Sequence, residues 1–184
     1  MKTFEEDLKE AALYHGHICA GQILGVRMAR LGVRKLALEE PQKYRDLVVF
    51  VESDRCLSDA VSTVTGCKLG KRRLKHKDYG KSAASFLDLR TSRAVRVSSI
   101  GWVNAPANVN LLEYFAALTD EELFKVEEVE IPFPPCEAPG KPVEKIECGL
   151  CGEMITDSRH IIKDGKALCK SCAGFSYYKL KTGE

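Results

Sequence analysis

Leu47-Val48-Val49-Phe50-Val51-Glu52-Ser53-Asp54-Arg55-Cys56 is the stretch whose reading sets the fold. Five apolar, mostly β-branched residues read as a buried strand. The polar run ends it, and Leu57 to Thr65, rich in small residues, reads as a helix stopped by Gly66. This strand-to-helix junction gathers Glu52, Asp54, Cys56 and Asp59, with Cys67 just past the helix. Strand ends and helix starts commonly form sites because their backbone donors are unpaired. Carboxylates on both sides of Cys56 argue against a purely apolar setting. Cys67 on its own reads first as a small buried hydrophobe.

Upstream, Phe4, Leu8, Ala11 and Ala12 recur at helical spacing, so residues 3–14 read as an amphipathic helix. It delivers the chain to His15-Gly16-His17-Ile18-Cys19-Ala20-Gly21, which carries two imidazoles and a thiol within five residues. Those are the ligands that borderline and soft metals prefer. His15 and His17, two apart, cannot share one helical face, which favours a site over two unrelated core residues. A second helix is expected from Gln22 to Leu31, with an apolar stripe, a basic stripe and Gly32 as its stop. If Cys19 stands just ahead of it, the positive helix end favours the thiolate.

Downstream, Pro41 to Asp46 reads as a turn or short helix. Lys68 to Lys81 is strongly basic and punctuated by Gly70 and Gly80, which reads as a solvated loop or as a place where freed amides and lysine charge meet an anion. Lys71 and Lys81 are the candidates for holding an anionic cofactor. No P-loop pattern occurs there. Ala84–Leu89 and Ala94–Ser99 read as a hairpin. Asn108 is expected to cap a helix running to about Leu118, and Thr119-Asp120-Glu121-Glu122 has the capping-box pattern. Phe124 to Ile131 reads as an edge strand.

The expected fold class is therefore α+β, a mixed or antiparallel sheet flanked by helices, in residues 1–131. Residues 132–142, Pro132 to Pro142, hold five prolines and read as a linker. Residues 143–184 form a small C-terminal module. There Cys148-Gly-Leu-Cys151 and Cys169-Lys-Ser-Cys172, with 17 residues between the pairs, have the spacing of a four-cysteine zinc site. Ile161 to Leu168 reads as a hairpin turning on Asp164-Gly165, and Ala173 to Leu180 as a short helix. Knuckle, hairpin and helix in that order are similar to a treble-clef zinc finger. Four protein thiolates leave no open position, so this zinc is read as structural. The module is too short for an ordinary core, so metal is expected to supply its folding energy.

The chain has 184 residues, a net charge of +2 and 45% hydrophobic residues. That supports a sizeable core and does not demand a nucleic-acid partner. No apolar run is long enough to span a membrane, and the acidic N-terminus lacks a signal core. A cytoplasmic location is expected, and the 8 cysteines then point to metal or thiol chemistry.

His15-Gly-His-x-Cys19-x-Gly21, Cys56-x-x-Asp59-Ala60, Thr65-Gly66-Cys67-x-x-Gly70-Lys71 and Asp78-Tyr79-Gly80-Lys81 together resemble the FmdE family of formylmethanofuran dehydrogenase components. The resemblance covers most of residues 1–131. It implies an α+β domain that dimerises and an association with molybdenum or tungsten enzyme subunits that interconvert carbon dioxide and formyl-methanofuran. It also implies that His17, Cys19, Cys56, Asp59 and Cys67 surround a metal-capable pocket. The leading expectation is a dimeric protein with a structural zinc and a second transition-metal site on His17, Cys19, Cys56 and Cys67. If that site is catalytic, His17 and Cys56 serve the metal and Asp59 or His15 moves protons. The alternatives are a zinc-finger adaptor for nucleic acid or protein, against which the near-neutral charge stands, and a thiol redox protein using Cys19, Cys56 or Cys67.

Overall fold

The computed structural model describes residues 1–101 and 105–181. The chain divides into two compact units, Met1–Pro132 and Phe133–Glu184.

The first unit opens with helix α1, Phe4–His15. Thr3 caps it reciprocally with Glu6, the Glu6 amide donating to Thr3 Oγ1 at 3.1 Å and the Thr3 amide to Glu6 Oε2 at 2.8 Å. It stops at Gly16, whose φ of 98° is one that glycine adopts without strain. Helix α2 runs from Ala20 to Lys35, so Gly32 lies inside it and does not end it. The reason is packing. A Cβ on Gly32 would lie 2.3 Å from the Phe86 ring, and one on Gly25 would lie 2.7 Å from Ala60 Cβ and 2.8 Å from the Leu57 carbonyl. Both glycines are there for close approach, which outweighs their poor helix propensity.

Strand β1, Leu47–Val51, leads into helix α3, Cys56–Thr65, which Gly66 closes in the left-handed conformation. Strands β2, Leu74–His76, β3, Ala83–Asp88, β4, Ala94–Ser99, and β5, Phe124–Glu128, complete a five-stranded sheet in the order β2-β1-β3-β4-β5. β1 and β2 are parallel and the other pairs antiparallel, with Val49 opposite both Leu74 and Phe86. The sheet is mixed, and β5 is an edge strand. Val49, Val51, Phe86, Val95 and Val97 on the sheet join Ile23, Val26, Ala29, Ala60, Val61 and Val64 of the helices in one core.

Short helices α4, Leu111–Ala116, and α5, Asp120–Leu123, precede β5. Thr119 and Glu122 form the capping box. The first of these helices is capped by Asn110, not Asn108, which sits two residues earlier at a φ of 66°. The basic stripe of α2 is tied up internally. Arg27 donates to Asp120 and to the Phe115 and Leu118 carbonyls, Arg34 reaches Asp120, and Arg30 pairs with the buried Asp7. The basic run 68–81 is not one solvated loop either. It holds a 3-10 turn, Leu69–Lys71, and β2, and the buried Arg73 donates to the Tyr44 and Gly66 carbonyls at 2.7 and 2.9 Å.

The second unit is built from two hairpins. β6, Lys145–Glu147, pairs with β7, Met154–Thr156, and β8, Ile161–Lys163, pairs with β9, Lys166–Leu168. The second hairpin turns on Asp164 and Gly165, at φ 50° and 72°, the signature of a type I′ turn. From Ser171, ahead of Cys172, the described residues form one wide helical turn, Ser171–Phe175, broken by Gly174 at φ 105°. The helix expected to reach Leu180 is cut short there. Among the described residues, Cys148 and Leu168 are the buried hydrophobics of this unit.

No described helix is long and apolar enough to cross a membrane.

Candidate functional site

In the first unit, three helix termini bring the chemistry together. His15 is the last residue of α1, Cys19 is the N-cap of α2, and Cys56 is the first residue of α3. Gly16 reverses the chain after His15, so His17 returns beside it, the two ring centroids 4.8 Å apart. The ligand atoms of His15, His17 and Cys19 all lie within 4.8 Å of one another. Cys19 has extended backbone angles, φ −140° and ψ 169°, and its thiol makes no capping bond, so the sulfur is left for other work.

His15 is held from behind. Its Nδ1–H donates to Asp59 Oδ2 at 2.8 Å, while its Nε2 is buried and has no partner. A carboxylate on one ring nitrogen fixes the tautomer and raises the basicity of the other, the arrangement usual behind a metal-bound imidazole. Cys56 closes the remaining side. Burial and the adjacent Cys19 thiol raise its pKa. Gln22, fully buried, donates through Nε2 to the Cys56 carbonyl at 2.6 Å and fixes the start of α3. Gly21 is required beside Cys56, since a Cβ there would stand 2.9 Å from Cys56 Cβ. The clustered donors, two imidazoles and the Cys19 thiol with one imidazole pre-oriented, fit a borderline transition metal, and Cys56 stands beside Cys19.

Of the residues expected at this site, His17, Cys19, Cys56 and Asp59 are brought together, and His15 joins them. Cys67 is not. It lies beyond the opposite end of α3, has no exposed surface, and its thiol reaches the Leu47 carbonyl at 3.5 Å. Burial pushes its pKa to about 11. It is a core residue, so its candidacy as a metal ligand is withdrawn. Lys71 is also elsewhere. Its turn precedes β2, whose parallel pairing with β1 puts that turn at the end of the sheet away from Cys56. Lys81 stays closer, between Gly80 and Ser82 of a cleft that Cys19 and Cys56 also line, but it lines a neighbouring pocket with Arg96 and Ser98. Glu52, part of the same junction, turns away into a paired bond with Arg96 at 2.7 and 2.8 Å. Gln22 was legible only as a polar residue on the stripe of Val26, Ala29 and Val33.

In the second unit, Cys148, Cys151, Cys169 and Cys172 place their sulfurs within 4.8 Å of one another. Zn–S bonds of roughly 2.3 Å in a tetrahedron need sulfurs about 3.8 Å apart, and Cys151 and Cys169 stand at 4.0 Å. Backbone amides point at the sulfurs, Cys169 N to Cys148 Sγ at 3.3 Å and Cys172 N to Cys169 Sγ at 3.4 Å. Such donation from the Cys151, Cys169 and Leu150 amides lowers Cys148 to about 6, whereas its thiol neighbours push Cys172 up to about 12. Four thiols this close cannot all ionise without a cation among them, so the cluster fits a metal such as zinc.

The family model described as FmdE, molybdenum formylmethanofuran dehydrogenase operon, matches residues 14–131, from just ahead of His15 through the end of the sheet. The chain belongs to the FmdE family. A probable S-adenosyl-L-methionine-binding protein of Archaeoglobus fulgidus is 34% identical over 215 aligned residues. The match takes in 93% of this chain but 53% of that protein, so the chain spans about half the length of that relative. A tungsten formylmethanofuran dehydrogenase FmdE-like protein from Syntrophus aciditrophicus shares the fold. Its TM-score is 0.63 at 23% identity, covering 97% of this chain and 96% of that one. The C-terminal cysteine cluster is suited to a metal such as zinc.

Proposed function

We propose that this FmdE protein carries two metals with different duties. Cys148, Cys151, Cys169 and Cys172 hold a structural zinc. His15 Nε2, His17, Cys19 and Cys56 hold a working transition metal, which when bound would polarise a carbonyl or activate a water. Asp59 fixes the His15 tautomer and offers a place for a proton near the centre. The single observation that carries the second site is His15, whose ligand atom lies within 4.8 Å of those of His17 and Cys19, and whose buried Nε2 has no partner while Nδ1 is tied to Asp59. The role assigned is accessory or catalytic in molybdenum- or tungsten-dependent one-carbon metabolism, in the cytoplasm, as a homodimer alongside formylmethanofuran dehydrogenase-type subunits. Family membership supports that assignment.

Elemental analysis tests the metal count. Wild-type protein is expected to hold two equivalents per chain. His17→Ala/Cys19→Ala should lose one and keep the other, and Cys148→Ser/Cys151→Ser should do the reverse. Unchanged metal in the first double variant removes the working site.

A further inference from the structure

A cleft of about 550 Å³ opens beside the His/Cys cluster, sharing Cys19 and Cys56 with it as wall. Two helix starts line it, Cys19-Ala20-Gly21 of α2 and Arg55-Cys56-Leu57 of α3. The two helices have 16 and 10 residues, and no side chain caps either start. Each therefore directs unpaired N–H groups and a partial positive charge at the cleft. Ser53, the residue where β1 gives way to α3, also lines it. Ser53 is 4% exposed and its Oγ has no hydrogen-bond partner, although its carbonyl accepts from the Ser58 hydroxyl at 2.5 Å. Ser99, across the cleft on β4, has a second buried hydroxyl without a partner. Buried hydroxyls are costly to leave unpaired, so two of them on one cleft point to a ligand that carries polar atoms.

The charge of that ligand follows from the wall. Arg55 is the one cationic side chain among the described lining residues, and no carboxylate is among them. A single guanidinium matches a single negative charge, and its planar fork suits a two-oxygen acceptor. Leu24 and Leu57 add apolar surface, and the volume exceeds what a bare ion needs. We infer that the cleft seats a small organic carboxylate. Its oxygens lie at the two helix starts with Arg55 and Ser53, and its body rests on Leu24 and Leu57 beside the metal centre. This rests on the two-metal reading for what the bound molecule faces, and on the cleft alone for the binding.

Ligand-observed NMR on the full chain, with propionate and benzoate as probes, tests it against propionamide, benzamide and inorganic phosphate. The carboxylates should bind wild-type protein, and their amides should not. Arg55→Ala should weaken carboxylate binding about tenfold or more, and Ser53→Ala by a smaller factor, with metal content by elemental analysis and melting temperature unchanged. Amides binding as well as carboxylates would overturn the inference. So would phosphate displacing the carboxylates at equal concentration, or both variants binding normally. The metal reading fails separately, and only if His17→Ala/Cys19→Ala retains all its metal, whatever the carboxylates do.

Discussion

Cys148 and Cys151 stand in the turn between β6 and β7, and Cys169 and Cys172 follow β9, with scarcely a buried apolar side chain among the described residues to hold them in place. His15, Cys19 and Cys56 stand at the ends of three helices, with His17 in the bend between the first two. Those helices are clamped by close glycine contacts, ion pairs and a shared core. On the two-metal proposal, the donors of the second unit need the metal in order to have a fold. In the first, the fold exists without it and the donors are positioned in advance. A scaffold that owes nothing to its metal can leave a coordination position open and line a cleft beside it. A scaffold made by its metal must close all four positions.

The sharpest way to break this contrast is to remove metal. Strong chelation, or Cys169→Ser, is expected to abolish protection from hydrogen exchange throughout residues 145–175. Structural zinc contributes on the order of 10 kcal/mol to folding of such modules. Exchange in α2, α3 and β3 should be unaltered. If the hairpins stay protected after chelation, the second unit has a core that its buried residues do not reveal.

The reciprocal experiment attacks packing. Gly25→Val would drive a side chain into the Leu57 backbone and Ala60, both in α3. We expect about 3 kcal/mol of destabilisation, the upper range for overpacking, read as a lower urea midpoint for the first unit with zinc content unchanged. A normal midpoint would mean that α2 and α3 are not held at the distance seen.

A smaller effect separates pre-positioning from ligation. Asp59→Asn keeps the shape but weakens the hold on His15 Nδ1–H. Loss of such a partner costs about 10–100-fold in metal affinity. A competition titration should show that drop at the N-terminal site and none at the four-cysteine site. Equal affinity would make the 2.8 Å contact incidental to metal binding.

Much of this was legible in the sequence, and what was not has a physical cause. Cys148 to Cys172 could be read because two Cys-x-x-Cys pairs at a zinc-site spacing lie within one short segment. The β1-to-α3 junction could be read because a β-branched run ends abruptly in polar residues and small helix formers. Gly32 misleads because a helix-stopping glycine and a close-packing glycine look alike until the Phe86 ring is known to lie over it. Cys67 misleads because its distance from Cys56 depends on α3 being straight and its end buried, and motif spacing carries neither fact. Ser53 and Arg55 share the β1-to-α3 junction but Ser99 ends β4, so only the pairing of β1, β3 and β4 brings all three to one cleft.

Acid offers the finest discrimination between the two regions. Asp88 in the first unit accepts hydrogen bonds from the Tyr44 hydroxyl at 2.8 Å, the Arg90 amide at 3.0 Å and the Thr91 hydroxyl at 2.7 Å. Burial pushes its carboxyl up, but those bonds and the Arg90 charge outweigh burial and leave it below the usual 3.8. A carboxyl held low when folded favours the folded state above its unfolded pKa, and that contribution is lost as pH falls through the folded value. Asp88→Asn should therefore cost about 1 kcal/mol near neutrality, and the gap to wild type should close only below about pH 4. The four-thiolate cluster must release its metal as its sulfurs take up protons, which happens at milder acidity. An acid titration followed by hydrogen exchange should lose the hairpins of the second unit first, while the β3–β4 hairpin around Asp88 stays protected. Simultaneous loss would mean that the two units share one cooperative fold, and the contrast between a metal-made and a metal-ready scaffold would fall with it.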